Sequence, residues 1–149
     1  MEKDDGVAGG GRGPGVGMGM GGVAFGPENL PYDAIGGEAG VRGLVERFYD
    51  RMGEGYPALR AMHPADDRES REKLFEFLSG WLGGPQLYME KRGHPRLRMR
   101  HGPFAIDEAA VEAWLGCMEE AIDGEGIGEP LRGFLMQRFT HTARFMRNR

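Results

Sequence analysis

Four stretches of the chain carry apolar residues at helical spacing. Between residues 37 and 52, "GEAGVRGLVERFYDRM" sets Val41, Leu44, Val45, Phe48, Tyr49 and Met52 at i, i+3, i+4, i+7, i+8 and i+11. At 3.6 residues per turn these positions share one side of a helix. Leu74, Phe77, Leu78, Trp81 and Leu82 repeat in the same way, as do Val111, Trp114, Leu115, Met118 and Ile122. The last stripe is Leu131, Phe134, Leu135, Phe139, Thr142, Phe145 and Met146.

Punctuation between the stripes agrees with helices. Asp66, with Glu69 three residues on, predicts a capping box, and Asp107 a second N-cap. "GGP" at 83–85 ends the second helix, and Pro130 opens the last. "YPALRAMHP" at 56–64 has room for a turn or two of helix before Pro64 stops it. Outside the arginine-rich stretch before residue 101 no segment alternates as a strand would, and nothing repeats. The pattern predicts an all-α fold of four principal helices, with an irregular segment at 84–100 between the middle pair.

Composition changes this picture at the N-terminus. "GVAGGGRGPGVGMGMGGVAFG" at 6–26 offers almost no side chains to bury and much backbone entropy to lose. Residues 1–30 are therefore expected to be a disordered glycine-rich tail and 31–149 one domain, long enough to bury a core. The tail lacks a charged start followed by an apolar run, so it makes a poor signal peptide. No strand precedes its glycines and no Gly-Lys-Ser/Thr closes them, which argues against a phosphate loop. No apolar run approaches the ~20 residues of a membrane span.

Net charge is −4 and the sequence pI about 5.6, against a general nucleic-acid binder. Arginines at 92, 96, 98 and 100 nevertheless cluster locally, which suits a small anion better than a long polyanion. Cys117 is the only cysteine, so neither an intrachain disulfide nor a thiolate metal cage can form, and a cytoplasmic setting is expected.

That cluster lies in "HPRLRMRHGPF", residues 94–104. Whether 94–101 is helical or extended, His101 falls on the same side as Leu97, away from the arginines. Taken alone, it reads as a partly buried histidine bonded to a backbone carbonyl. Tyr49 and Trp114 each sit on an apolar stripe with one polar tip, and alone each reads as core. His63, before Pro64, reads as a turn residue. Together they suggest more. A flat apolar cofactor with anionic edges and a metal centre would use an imidazole, a row of arginines and several polar tips, and haem fits that description. A histidine-and-carboxylate metal site is the alternative, but no His-x-x-x-His or Glu-x-x-His spacing supports it.

From Pro31 to about Asp123 the chain resembles the group II truncated haemoglobins, small bacterial and plant globins built as a two-over-two helical sandwich. The matching stretches are "YDAIGGE", "RFYDRM", "MHPADD", "FLSGWLGGP", "RGHPRLRMRHGPF" and "AWLGCM", in family order. The resemblance implies haem b as cofactor with His101 as the proximal iron ligand. It implies a distal pocket of Tyr49, His63 and Trp114, with Ser70 in the gating place and Leu74 and Phe77 as lining. His63 stands where the family has tyrosine, phenylalanine or histidine, and would offer an N–H to the ligand. Lys73, Tyr88, His94 and Arg98 would meet the haem edge and propionates, and Leu97 and Phe48 its apolar faces.

The function so implied is binding of oxygen, and of NO, CO or sulfide, at an iron capable of six-coordination. Slow release would suit ligand chemistry, detoxification or sensing better than bulk oxygen transport. Nitric oxide dioxygenation or peroxide turnover would require an external reductase, because the chain carries no flavin- or nicotinamide-binding motif. A monomer or homodimer is expected. The competing expectation is a cofactor-free helical interaction module that has kept the fold.

Overall fold

A computed structural model describes residues 25–149; the expected tail up to residue 24 lies outside the described residues. Eight helices follow: α1 (Pro31–Ile35), α2 (Gly37–Gly55), α3 (Pro57–Arg60), α4 (Arg68–Trp81), α5 (Leu87–Arg92), α6 (Leu97–His101), α7 (Glu108–Gly124) and α8 (Leu131–Met146). The four long ones are those that the stripes predict. Among the described residues the only β feature is a bridge between Gly26 and Asn29.

Helix α2 is the centre of the core, with Val41, Leu44, Val45, Phe48 and Met52 at most 1% exposed. It packs against both α4 and α7, and α7 packs on α8. The result is two helix pairs, α2–α4 and α7–α8, joined through α2 and α7. This is the two-over-two arrangement expected from the sequence.

Helix α4 buries only part of the stripe that its spacing predicts, together with residues beside it. Phe75, Glu76, Leu78, Ser79 and Leu82 are buried, whereas Leu74, Phe77 and Trp81 are only partly covered. Phe75 and Leu78 belong to the main core, which leaves the 74/77/81 row half-open along the helix. Buried Glu76 is met by Arg92 Nε at 2.7 Å and Lys91 Nζ at 2.9 Å. Burial alone would raise its pKa, but these two cations outweigh it and hold the carboxyl below its usual range. The triad binds α5 to α4. Arg71 similarly joins α4 to α2 through Glu46 (2.6 Å) and Asp50 (3.0 Å).

The N-caps divide. Asp107 accepts the Ala110 N–H at 2.8 Å, as expected. The capping box at Asp66 and Glu69 does not form. Asp67 takes the N-cap position of α4 without a side-chain cap bond, and its carboxylate is held by Arg71 at 3.0 Å. The Asp66 carboxylate goes to the Arg68 side chain at 2.7 Å. The same Asp66 carboxylate also accepts the Arg68 backbone N–H at 3.1 Å, a turn bond two residues on and not the cap bond three residues on that the box requires.

The segment expected to be irregular contains two short helices, α5 and α6, and the arginine-rich stretch is helical, not extended. Arg96 starts α6 in the left-handed region, with φ at 49°. Residues 25–30, assigned to the tail by composition, pack on the domain. The Phe25 ring lies 4.7 Å from that of Phe134, because an aromatic side chain gains more from α8 than from water.

Candidate functional site

Five-residue α6 buries none of its residues fully, so its position must come from what holds it. His101 ends it, half-buried, with Nδ1 2.7 Å from the Leu97 carbonyl one turn back. A carbonyl can only accept, so the Nδ1 proton is committed to it and the neutral ring keeps its lone pair on Nε2. Leu97 packs against a small buried cluster of Ile106, Val111 and Met146, which Met62 and Leu115, neighbours in sequence of His63 and Trp114, also cover.

The C-terminal residues clamp the turn that follows. Asn148 Nδ2 donates to the carbonyls of Phe104 (3.0 Å) and His101 (3.4 Å). Its Oδ1 accepts from Ile106 N at 2.9 Å, and its own N–H donates to the Ile106 carbonyl at 2.8 Å.

Opposite α6, rings from three elements meet. Tyr49 and His63 pack edge-to-face at 5.5 Å, Phe48 lies 5.3 Å from Tyr49, and Trp114 lies 5.2 Å from Phe48. The buried Tyr49 hydroxyl makes one long bond, 3.4 Å, to the Ser70 carbonyl. Burial, helped by nearby Asp67, pushes the phenol well above its ordinary pKa despite Arg71 and Arg60, so it stays a donor. Half-buried Trp114 packs on Phe48 and Phe139, and its indole N–H has no hydrogen-bond partner among the described residues.

His63 repeats the His101 arrangement, with Nδ1 3.1 Å from the Leu59 carbonyl. Its neutral ring therefore turns an accepting Nε2, not the expected N–H, to any neighbour. Burial, with a contribution from Arg60 and His101, pushes its pKa below the ordinary histidine value, although the Leu59 bond and Asp67 oppose this.

The remaining predicted residues divide between wall and rim. Leu74 and Phe77 lie on the half-open row of α4, and Phe77 meets Tyr88 edge-on at 6.4 Å. Phe77 and Tyr88 line a cleft of about 150 Å³ with Trp81, Met89 and Pro95, and Trp81 stacks on Phe139, which also meets Trp114. Ser70 contributes its backbone carbonyl, not its hydroxyl. Lys73, His94 and Arg98 are exposed; Lys73 lies 3.9 Å from Glu69, and Arg98 stacks over Phe145 at 5.5 Å. No three His, Cys, Asp or Glu side chains among the described residues are grouped to hold a metal ion.

Residues 30–148 match the family model of the bacterial-like globins. The chain belongs to that family. It is 45% identical over 120 residues to the group 2 truncated hemoglobin YjbI of Bacillus subtilis strain 168, covering 80% of this chain and 89% of that protein. The solved cold-adapted truncated hemoglobin of Pseudoalteromonas haloplanktis TAC125 superimposes with a TM-score of 0.78 at 44% identity, covering 81% of this chain and 99% of that one. The truncated oxygen-avid haemoglobin of Bacillus subtilis gives 0.76 at 45% identity, covering 80% and 100%.

Membership brings haem b as the cofactor of this globin and the binding of oxygen and other diatomic ligands as its general activity. The residues present fit the group. One imidazole has its tautomer set with Nε2 free, the apolar row of α4 is half-covered by protein, and the Trp114 N–H is unspent.

Sequence reasoning missed Asn148, Glu76 and Arg71. Glu76 lies between two phenylalanines, and nothing in the spacing shows that its carboxylate is buried. Asn148 acts on a segment more than 40 residues away, which no local pattern reveals. Asn148→Ala is expected to cost about 1–3 kcal/mol of stability through the unpaired carbonyls and amide. Transfer of haem to an apoglobin acceptor should quicken several-fold, and hydrogen exchange at residues 101–106 should rise with it.

Proposed function

We propose that this globin holds haem through His101 and retains oxygen through donors from Tyr49 and Trp114, for ligand chemistry or sensing more than for bulk transport. The observation that carries this reading is the 2.7 Å bond from His101 Nδ1 to the Leu97 carbonyl, which keeps Nε2 available as a ligand. Haem b supplies an iron centre that binds diatomic molecules reversibly. Leu97 and Phe48, with Leu74 and Phe77 on α4, present apolar surface to it. Lys73 and Arg98 offer cations to its carboxylates, with Tyr88 and His94 nearby in a supporting role.

On the distal side the chain provides two proton donors in an aromatic setting that excludes water. Tyr49 has only its long bond to Ser70 to give up, and the Trp114 N–H has none. Each such bond to a partly negative ligand contributes about 1–2 kcal/mol, so the two together slow release by about thirty- to several-hundred-fold. NO, CO and sulfide are further candidate ligands, and the accepting Nε2 of His63 is a candidate sixth iron ligand. Sustained turnover of nitric oxide or peroxide requires electrons from a separate reductase.

Three outcomes are expected. His101→Gly should purify with little haem and no normal Soret band, and added imidazole should restore both. Full haem with an unchanged spectrum in that variant would refute the proximal assignment.

Trp114→Phe and Tyr49→Phe should each raise the oxygen dissociation rate at least tenfold in stopped-flow measurements. The double variant should be non-additive if both donors meet one ligand atom. Carbon monoxide release should change less, since its outer atom carries less negative charge.

The third outcome concerns pH. His63 is neutral above its lowered pKa and accepts at Nε2, whereas the imidazolium donates from both nitrogens. Oxygen release should therefore slow as the pH falls through this lowered pKa, below the ordinary histidine value, and stay level above it. His63→Phe should flatten this profile.

A further inference from the structure

We propose that the face formed by α6 and the C-terminal end of α8 docks an acidic one-electron donor protein that reduces the haem iron. This rests on the haem reading above. Arg96, Arg98 and Arg100 are all exposed on one short helix and its cap, and among the described residues none pairs with a carboxylate. Arg100 donates to the Pro95 carbonyl and Arg98 stacks over Phe145. Many arginines elsewhere meet a carboxylate, as Arg42 does Glu72, Arg71 Glu46 and Arg132 Asp123, while Arg138 lies over the Trp81 and Phe134 rings instead. Arg96 and Arg100, which the haem carboxylates do not engage in the reading above, thus leave positive charge without a carboxylate partner among the described residues on this segment of a chain of net charge −4.

The same face is apolar where it is not charged. Met99 is 63% exposed, Phe145 57% and Phe104 42%, three of the four large hydrophobic side chains left exposed among the described residues. Apolar side chains ringed by cations have the anatomy of a transient protein interface. The charge selects an acidic partner and speeds its approach.

The position selects an electron donor among acidic proteins. Helix α6 ends in His101, so a protein docked here lies beside the iron ligand, and electron transfer falls steeply with distance. In the proposed step one electron leaves a reduced iron–sulfur or flavin centre of the partner and converts ferric to ferrous iron. The donor is oxidised by one electron, and no bond or proton moves.

The test uses the haem-loaded ferric protein and a reduced acidic [2Fe–2S] ferredoxin, mixed by stopped flow at rising salt. Wild type should reduce quickly at low salt and more slowly as salt screens the charges. Arg96→Glu/Arg100→Glu should be at least tenfold slower at low salt with a flat salt dependence, and Phe145→Ser several-fold slower. Dithionite at high salt should reduce all three equally, which separates docking from damage to the haem site. Calorimetric titration with oxidised ferredoxin should give a Kd at least tenfold weaker for the double variant.

Equal ferredoxin rates and affinities in wild type and the double variant would overturn the proposal. So would binding to phosphatidylglycerol vesicles with no affinity for ferredoxin, which would make the face a membrane surface. A preparation without a haem spectrum would overturn the underlying reading, and this one with it.

Discussion

The hydrogen bond from His101 to the Leu97 carbonyl is the contact on which the chemistry depends. An imidazole that gives its Nδ1 proton to a fixed acceptor has one tautomer and one direction for its remaining lone pair. It also ties ring orientation to the backbone of a single helical turn. That turn is too short to persist alone, so the rigidity of the His101 ring is borrowed from elsewhere. Asn148 supplies it from the C-terminus, where it holds the His101 and Phe104 carbonyls.

Histidine 63 shows the same bond with a different consequence. Its Nδ1 proton is held by Leu59, so the nitrogen left over is an acceptor among donors. The distal cluster therefore contains two donors, Tyr49 and Trp114, and one group whose role inverts on protonation. Burial keeps the tyrosine protonated and the histidine neutral by the same desolvation of charge. An aromatic cluster of this kind is chemically asymmetric without holding any net charge of its own.

The half-open row of Leu74, Phe77 and Trp81 shows how the fold leaves room for a partner. A helix in a four-helix core normally turns its whole apolar stripe inward. Helix α4 instead packs the neighbouring row on α2 and holds that side with a buried, paired carboxylate. The stripe is then free to cover a flat apolar group.

Much of this was legible in the sequence. Four long helices follow from the spacing of apolar residues, because side-chain burial obeys the helical repeat wherever a helix lies on a core. His101, Tyr49 and Trp114 were legible as polar tips on apolar stripes, and the family resemblance gave them roles. The face that α4 turns inward was not legible, since Glu76 is buried only because Lys91 and Arg92 reach it from another helix. The capping box failed for a related reason, since the Arg68 side chain and its own amide hold the Asp66 carboxylate before the helix, and Asp67 takes the N-cap position. Local periodicity thus determined which segments are helices, and the family resemblance, not the spacing, singled out the residues expected to carry chemistry. Only the tertiary structure decided what surrounds them, through the Leu97 and Leu59 carbonyls that fix the histidine tautomers and the Asn148 clamp on residues 101–106, because a hydrogen bond depends on distances that one-dimensional spacing does not contain.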